Sequence, residues 1–390
     1  AEGDFDLVVG RGGRELEQQP ALSHEGLYPN NGGGGLPKAS RDVPKLESSG
    51  KAITSADMDG DGDLDLFVGG RLVVGKYPFA PRSYVLKNEG GIFTDVTALW
   101  APAIKNAGLV TDATWVDWNT DGKQDLLVVG EWMSVKLLEN NGSTLVDVSA
   151  QYGLDKQKGW WKSVEVADFD QDGDLDFVLG NNGLNYKYHA TQKEPFHVYA
   201  HDFDKNGSMD IVLGYFNKGT LYPVRGRQCS SEQCPEIKEK FATYSAFGSA
   251  DLKSVYGADL DLALHYTVTN FASVYIENKG ADGLVVRKLP QQAQFSVVNA
   301  IVAEDIDADG HLDLILSGNL HVSEVETPRN DASIGVVLKG NGDGTFAHWP
   351  VNETGYFTPG DVKDIALLKQ NNKRLILVAN NDAAMQVFEF

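Results

Sequence analysis

The chain has 390 residues, 42% of them apolar, and a formal net charge of -21. That apolar share is ample for a core, while the acidic balance is unsuited to nucleic acid and to anionic membranes. No run approaches the ~18 apolar residues of a membrane-spanning helix, and a ring-shaped repeat fold can fill this length as one unit.

The chain opens with Asp4-Phe5-Asp6-Leu7-Val8-Val9-Gly10, which matches Asp63 to Gly69 further on. This start inside a repeat suggests a piece of a longer protein, or a ring whose first repeat is completed by the other terminus. No basic or apolar leader precedes it, so an export signal is expected to have been removed or to lie outside the sequence.

Ala56 to Gly70, ADMDGDGDLDLFVGG, is the organising stretch. Asp57, Asp59, Asp61 and Asp65 stand at positions 1, 3, 5 and 9 of a tight loop; Gly62 permits the turn, and Asp63 can offer its backbone carbonyl. Alternate carboxylates around a glycine turn suit a hard cation with six to eight oxygen ligands, calcium before magnesium. The start resembles an EF-hand loop, but Val68 stands where an EF-hand needs Glu, and a short apolar run ended by glycines follows. A calcium loop joining two strands is therefore expected.

The loop recurs four times, each time before an apolar run. The copies are Asp117, Asn119, Asp121 and Asp125; Asp168, Asp170, Asp172 and Asp176; Asp202, Asp204, Asn206 and Asp210; and Asp305, Asp307, Asp309 and Asp313. The five loops place 18 carboxylates at ligand positions, so about five calcium ions would bring the net charge to about -11. Without metal these carboxylates repel, and stability should depend on it.

A second motif alternates with the first. Tyr84 to Phe93, Leu137 to Leu145, Val274 to Leu284, Val337 to Phe346 and, more loosely, Leu27 to Leu36 each read as strand, Asn/Gly turn, strand. Two hairpins make a four-stranded unit of roughly 50 residues, which predicts an all-β, seven-bladed β-propeller over residues 1–390 as a single domain. The Asp168–Asp202 spacing is only 34 residues, so the Asp202 loop closes either the second hairpin of the fourth blade or the first of a fifth. A helical insertion is expected at about 235–264, just after the cysteines. The last unit, Asp361 to Phe390, keeps its strands and has lost the ligands.

Cys229 and Cys234 are the two cysteines. A small disulfide-closed loop in an oxidising compartment is expected; two free thiols are the alternative. No second Cys/His pair with metal spacing accompanies them.

These repeats resemble the FG-GAP, or VCBS, propellers, and are most similar to the extracellular calcium-binding propellers of the cartilage-acidic-protein and UnbV type. Gly69-Gly70-Arg71, Gly130-Glu131-Trp132, Arg225-Gly226-Arg227 and Glu324 to Asp331 add to the likeness, which spans nearly the whole chain. It implies a calcium-stabilised, integrin-α-like propeller outside the cytoplasm or on the cell surface, used for adhesion or ligand binding. It implies no activity and no particular ligand. The first, fifth and last units depart from the pattern.

Connectivity places the ligand face. Each second strand runs away from its calcium loop, so the residues after it lie on the opposite rim: Arg11, Arg71, Glu131, Trp132, Asn181, Asn182, Tyr215 and Asn319. Trp160 and Trp161 precede the fourth blade, and Asn185, Tyr186, Lys187 and Tyr188 extend the rim. Aromatic platforms with amides suit a glycan or an extended protein segment; packing between blades is the competing role. No HExxH, GxSxG or phosphate loop is present. An enzyme, such as a polysaccharide lyase or hydrolase, would have to draw on Glu131, Glu326 and Tyr186 or Tyr188. A third reading is a propeller that only positions other domains of the same protein.

Overall fold

The computed structural model describes residues 50–73, 75–323, 327, 329–370 and 373–390, with 7–9, 26–28, 44 and 46. Arg11, Glu326 and residues 29–36 of the expected first turn lie outside the described residues.

Among the described residues the strands form seven antiparallel sheets. β1 (Leu7–Val9) pairs with β2 (Gly26–Tyr28). β3 (Ile53–Ala56), β4 (Asp65–Val68), β5 (Tyr84–Glu89) and β6 (Ile92–Asp95) form a meander in chain order. β7 (Leu109–Val116), β8 (Asp125–Ser134), β9 (Lys136–Asn140) and β10 (Leu145–Asp147) form the next, and β11 (Lys158–Trp160) pairs with the far end of β8.

The third meander begins with β12 (Ser163–Ala167) and β13 (Asp176–Gly180) and is then interrupted. β14 (Phe196–His201), β15 (Asp210–Asn217), β16 (Thr220–Pro223) and β17 (Leu264–Val268) build a separate sheet in the order β16-β15-β14-β17. Only afterwards do β18 (Val274–Asn278) and β19 (Leu284–Lys288) complete the order β12-β13-β18-β19. β20 (Val298–Glu304), β21 (Asp313–Gly318), β22 (Val336–Gly340) and β23 (Phe346–Trp349) form the next meander. β24 (Val362–Gln370), β25 (Lys373–Asn380) and β26 (Gln386–Glu389) form the last sheet.

The first strands β3, β7, β12, β20 and β24 pack beside one another in that order. The apolar runs of β4, β8, β13 and β21 are continuous because both faces of the strand are covered. In β8, Leu126 and Val128 pack toward Phe67 and Val85, whereas Leu127 and Val129 pack toward Phe177 and Leu179. Phe169 and Val178 meet Leu314 and Leu316 in the next interface. Truncating Leu127, which is fully buried, costs about 2–5 kcal/mol.

Three expectations are corrected. The Asp202 loop closes neither the second hairpin of the fourth unit nor the first of a serial fifth; it joins β14 to β15 in the inserted sheet. The helical segment starts earlier and contains the cysteines: short helices run Arg227–Gln233, Glu236–Lys240, Tyr244–Gly248 and Leu252–Tyr256, packed on the inserted sheet through Ile237, Phe247 and Leu252. Cys229 and Cys234 are not joined by a disulfide. Cys229 lies in the first of these helices and Cys234 caps it, and five residues of helix turn the two positions about 140° apart.

Candidate functional site

The Asp loops share one backbone design. Asp57 accepts hydrogen bonds from Gly60 N at 2.8 Å, Asp61 N at 3.1 Å and Gly62 N at 3.0 Å. Asp117, Asp168, Asp202 and Asp305 likewise accept from the glycine five residues on, at 2.9–3.1 Å. Side chains at positions 3 and 5 accept from the amide two residues later, as with Asp59, Asp61, Asn119, Asp121, Asp170, Asp172, Asp204, Asn206, Asp307 and Asp309. Position 6 is glycine with φ between 83° and 96°, a conformation that only glycine adopts freely. Position 4 is left-handed too, and in four loops a non-glycine residue is held there: Thr120, Gln171, Lys205 and Ala308.

These successive turns gather carboxylate oxygens. Asp57, Asp59 and Asp61; Asp168, Asp170 and Asp176; Asp202, Asp204 and Asp210; and Asp305, Asp307 and Asp313 each bring three oxygens within 4.8 Å of one another. The Asp117 loop has the same backbone bonds with an amide at Asn119.

Two observations fit a cation. Asp168 Oδ1 is buried without a hydrogen-bond partner among the described residues. In three loops an ammonium sits against the carboxylates: Lys87 Nζ lies 2.6 Å from Asp59 and 3.4 Å from Asp61, Lys123 Nζ lies 2.7 Å from Asp121, and Lys339 bonds Asp307 and lies 2.9 Å from Asp309. An oxygen-only donor set of this kind suits calcium, which would neutralise the repelling carboxylates and fix the loop.

Position 9 has a further role. Asp176, with no exposed surface, accepts from Phe169 N at 3.1 Å, Tyr275 OH at 2.7 Å and Asn278 N at 2.8 Å. Asp65, Asp125 and Asp313 repeat it, each taking one amide from its own loop and one from the end of the third strand. Asp210 accepts from Phe203 N and lies 3.7 Å from Cys234 Sγ. Burial pushes Asp65 and Asp176 up to about 6 and Asp125 to about 7, against the backbone donors. Asp63 instead reaches sideways, its carboxylate accepting from Gly90 N at 2.7 Å.

The turn asparagines tie one loop to the next. Asn140 Nδ2 donates to Met58 O at 2.8 Å, in the loop of the preceding sheet. Asn278 Nδ2 donates to Trp118 O at 2.9 Å in the same way.

At the other end of the strands the predicted rim divides. Trp132, Trp160, Asn182 and Tyr186 line one cavity of about 430 Å³. Trp132 (φ 59°) meets Trp160 edge to face, with centroids 4.9 Å apart. Its Nε1 donates to Tyr77 OH at 2.5 Å. Trp160 also contacts Tyr186, Phe196 and Phe271.

Arg71 and Glu131 lie beside this cavity and are spent on each other. Arg71 is 2.6 Å from Glu131, and Lys162 bonds the other carboxylate oxygen. Burial alone would raise the Glu131 carboxyl, but the guanidinium and ammonium outweigh it and bring it down to about 2.

Trp161, Asn181 and Asn319 are not rim residues. Trp161 is fully buried between two sheets, its Nε1 donating to Gln157 O. Asn181 accepts from Trp160 N and donates to Asn270 O and Ala272 O. Asn319 holds three carbonyls, of Ser333, Pro359 and Gly360. Both amides are fully buried braces. Asn185 is exposed and donates to Phe295 O, outside the cavity lining. Tyr188 is buried on Phe196.

The residues that sequence reasoning did not place on the rim are Tyr77, Ile211, Leu213, Arg225, Leu320, Ser323, Thr327 and Asn330, which complete the cavity. Ile211 and Leu213 belong to β15, so the cavity exists only where the inserted sheet meets the other sheets. Nothing local in the sequence signals that meeting.

Residues 117–179 match the model of the FG-GAP-like repeat family. No curated protein matches the chain. Among solved structures, an Agrocybe aegerita lectin described as recognising non-reducing terminal N-acetylglucosamine aligns with 89% of this chain and 76% of its own, at 14% identity and a TM-score of 0.32. The V. cholerae biofilm matrix protein Bap1 aligns with 94% of this chain and 72% of its own, at 11% identity and a TM-score of 0.32. Scores this low leave both likenesses without bearing on fold or ligand.

Proposed function

We propose that the chain is a calcium-stabilised β-propeller acting as a recognition module, extracellular or on the cell surface, which binds a glycan or protein ligand on the face opposite its Asp loops. The blades in this reading are the sheets that begin with β3, β7, β12, β20 and β24, with β1 and β2 in a further one; the β14–β17 sheet is an insertion and not a blade. Serial packing of the first strands supports it. The observation that carries the functional half is the convergence of Trp132, Trp160, Asn182 and Tyr186 on one cavity, since a concave aromatic site with a few polar groups is the usual form of a small-ligand site.

The module is non-catalytic in this reading. Glu131, the best acid available, is held ionised by Arg71 and Lys162 and has no proton to give near neutral pH. Broad glycan and matrix-protein arrays with the calcium-loaded chain test the proposal. Binding that weakens when Trp132 or Trp160 is changed is expected; silent arrays would remove it. Incubation with polysaccharides followed by product sizing tests the catalytic alternative, and no new products are expected.

A further inference from the structure

We infer that the cavity between the inserted sheet and the sheet ends takes a single neutral pyranose ring of a glycan. The inference rests on the recognition reading above and goes on to name the ligand.

Three features of the cavity select this chemistry. First, its walls are ring faces at an angle: Trp160 and Trp132 stand at 80° to each other, and Tyr186 tilts against Trp160 at 59°. An angled aromatic corner accepts a thick, saturated ring whose C–H groups meet the π faces; it does not favour a flat ligand, which would need parallel plates. Second, two of the lining residues have unused donors. Asn182 is 2% exposed, its Oδ1 accepts from Asn330 Nδ2 at 3.2 Å, and its own Nδ2 has no partner among the described residues. Trp160 Nε1 is likewise buried and without a partner among them. Buried donors left unmade are costly, so a ligand that brings hydroxyl oxygens to them is favoured.

Third, the nearby charges are engaged. Glu131 holds Arg71 and Lys162, and the Arg225 guanidinium donates to Gln233 Oε1 at 2.7 Å. Arg71 and Lys162 can therefore meet an acidic sugar only by giving up Glu131, which burial penalises. An extended peptide fits less well, because Ile211 and Leu213 alternate along β15 and therefore project from one face of the inserted sheet. The cavity thus abuts the face of the inserted sheet, and at the edge strand β11 the Trp160 amide is already donated to Asn181 Oδ1, which leaves it unavailable for main-chain pairing. Its volume of about 430 Å³ is at the lower end of the ~300–1,000 Å³ of small-ligand sites, which suits one ring with its linkage leaving toward solvent.

The test is titration calorimetry and saturation-transfer NMR on the intact calcium-loaded chain. The probes are the methyl pyranosides of glucose, galactose, mannose and xylose and their short oligosaccharides, with glucuronate and an unstructured alanine peptide beside them. At least one neutral sugar should bind saturably and perturb tryptophan fluorescence. Trp160→Phe, which keeps a ring and removes the donor, and Leu213→Trp, which fills the cavity from the inserted sheet, should each weaken it about tenfold. Retained melting temperatures would show that both variants fold. Sugar binding that neither variant alters would put the site elsewhere and overturn the inference. Glucuronate or peptide binding that both variants weaken, with no neutral sugar bound, would overturn the ligand class and leave the recognition reading standing. Failure of every probe together with silent glycan and matrix arrays would remove both.

Discussion

Asp176→Ala should destabilise the protein whether or not calcium is present. The carboxylate is fully buried and accepts from Phe169 N, Tyr275 OH and Asn278 N. Its removal leaves three buried donors without their acceptor, at about 1–3 kcal/mol for each that water cannot reach. Tyr275 OH can turn toward another acceptor, so the expected loss is about 2–6 kcal/mol, a large part of the ~5–15 kcal/mol that stabilises a typical domain. Asp168→Asn is the contrast: among the described residues Asp168 is tied only within its own loop, where an amide oxygen still accepts from Gly173 N. That variant should lose stability mainly when calcium is available to be lost. Urea unfolding followed by tryptophan fluorescence, in calcium and after chelation, separates the two. If Asp176→Ala matched the wild type after chelation, position 9 would serve the metal alone and its role as a staple between loop and third strand would be refuted.

Two further outcomes follow from buried charge. Glu131→Gln strands Arg71 and Lys162 beside each other and should cost about 3–5 kcal/mol; adding Lys162→Met should recover part of that, read in a double-mutant cycle of unfolding energies. His197, 8% exposed on β14, has Nδ1 2.8 Å from His265 Nε2 on β17, and burial, with His265 second, pushes its imidazole down to about 4. The unfolded chain binds the proton first, so His197 should make stability fall as pH drops from about 6.5 to about 4; thermal melts of His197→Asn should show a shallower fall across that window than the wild type.

The Asp loops were legible because their side-chain-to-amide turns and the positive-φ glycine fix residue types at fixed intervals, and the hairpins because Asn and Gly turns are local. Position 4 was not, since the loop imposes left-handed backbone on Thr120, Gln171, Lys205 and Ala308 alike and leaves their side chains unconstrained. The insertion was hidden for a different reason. β13 ends at Gly180 and its partner β18 begins at Val274, while the Asp202 loop between them carries the same local signal as a serial unit. On the rim, neighbouring residues have opposite fates because successive side chains of extended chain point to opposite sides: Trp160 lines the cavity and Trp161 fills the core. Asn181 and Asn182 divide similarly, one a brace for backbone carbonyls and one with an unused donor. Periodicity finds such pairs but not which member faces the cavity.

The central claim is that the five Asp loops are structural calcium sites that free the opposite face for recognition. The most direct test is thermal unfolding with and without chelator, paired with metal analysis of the purified protein. The account predicts about five calcium ions per chain and a large drop in melting temperature on chelation. No bound metal and an unchanged melting temperature would contradict it.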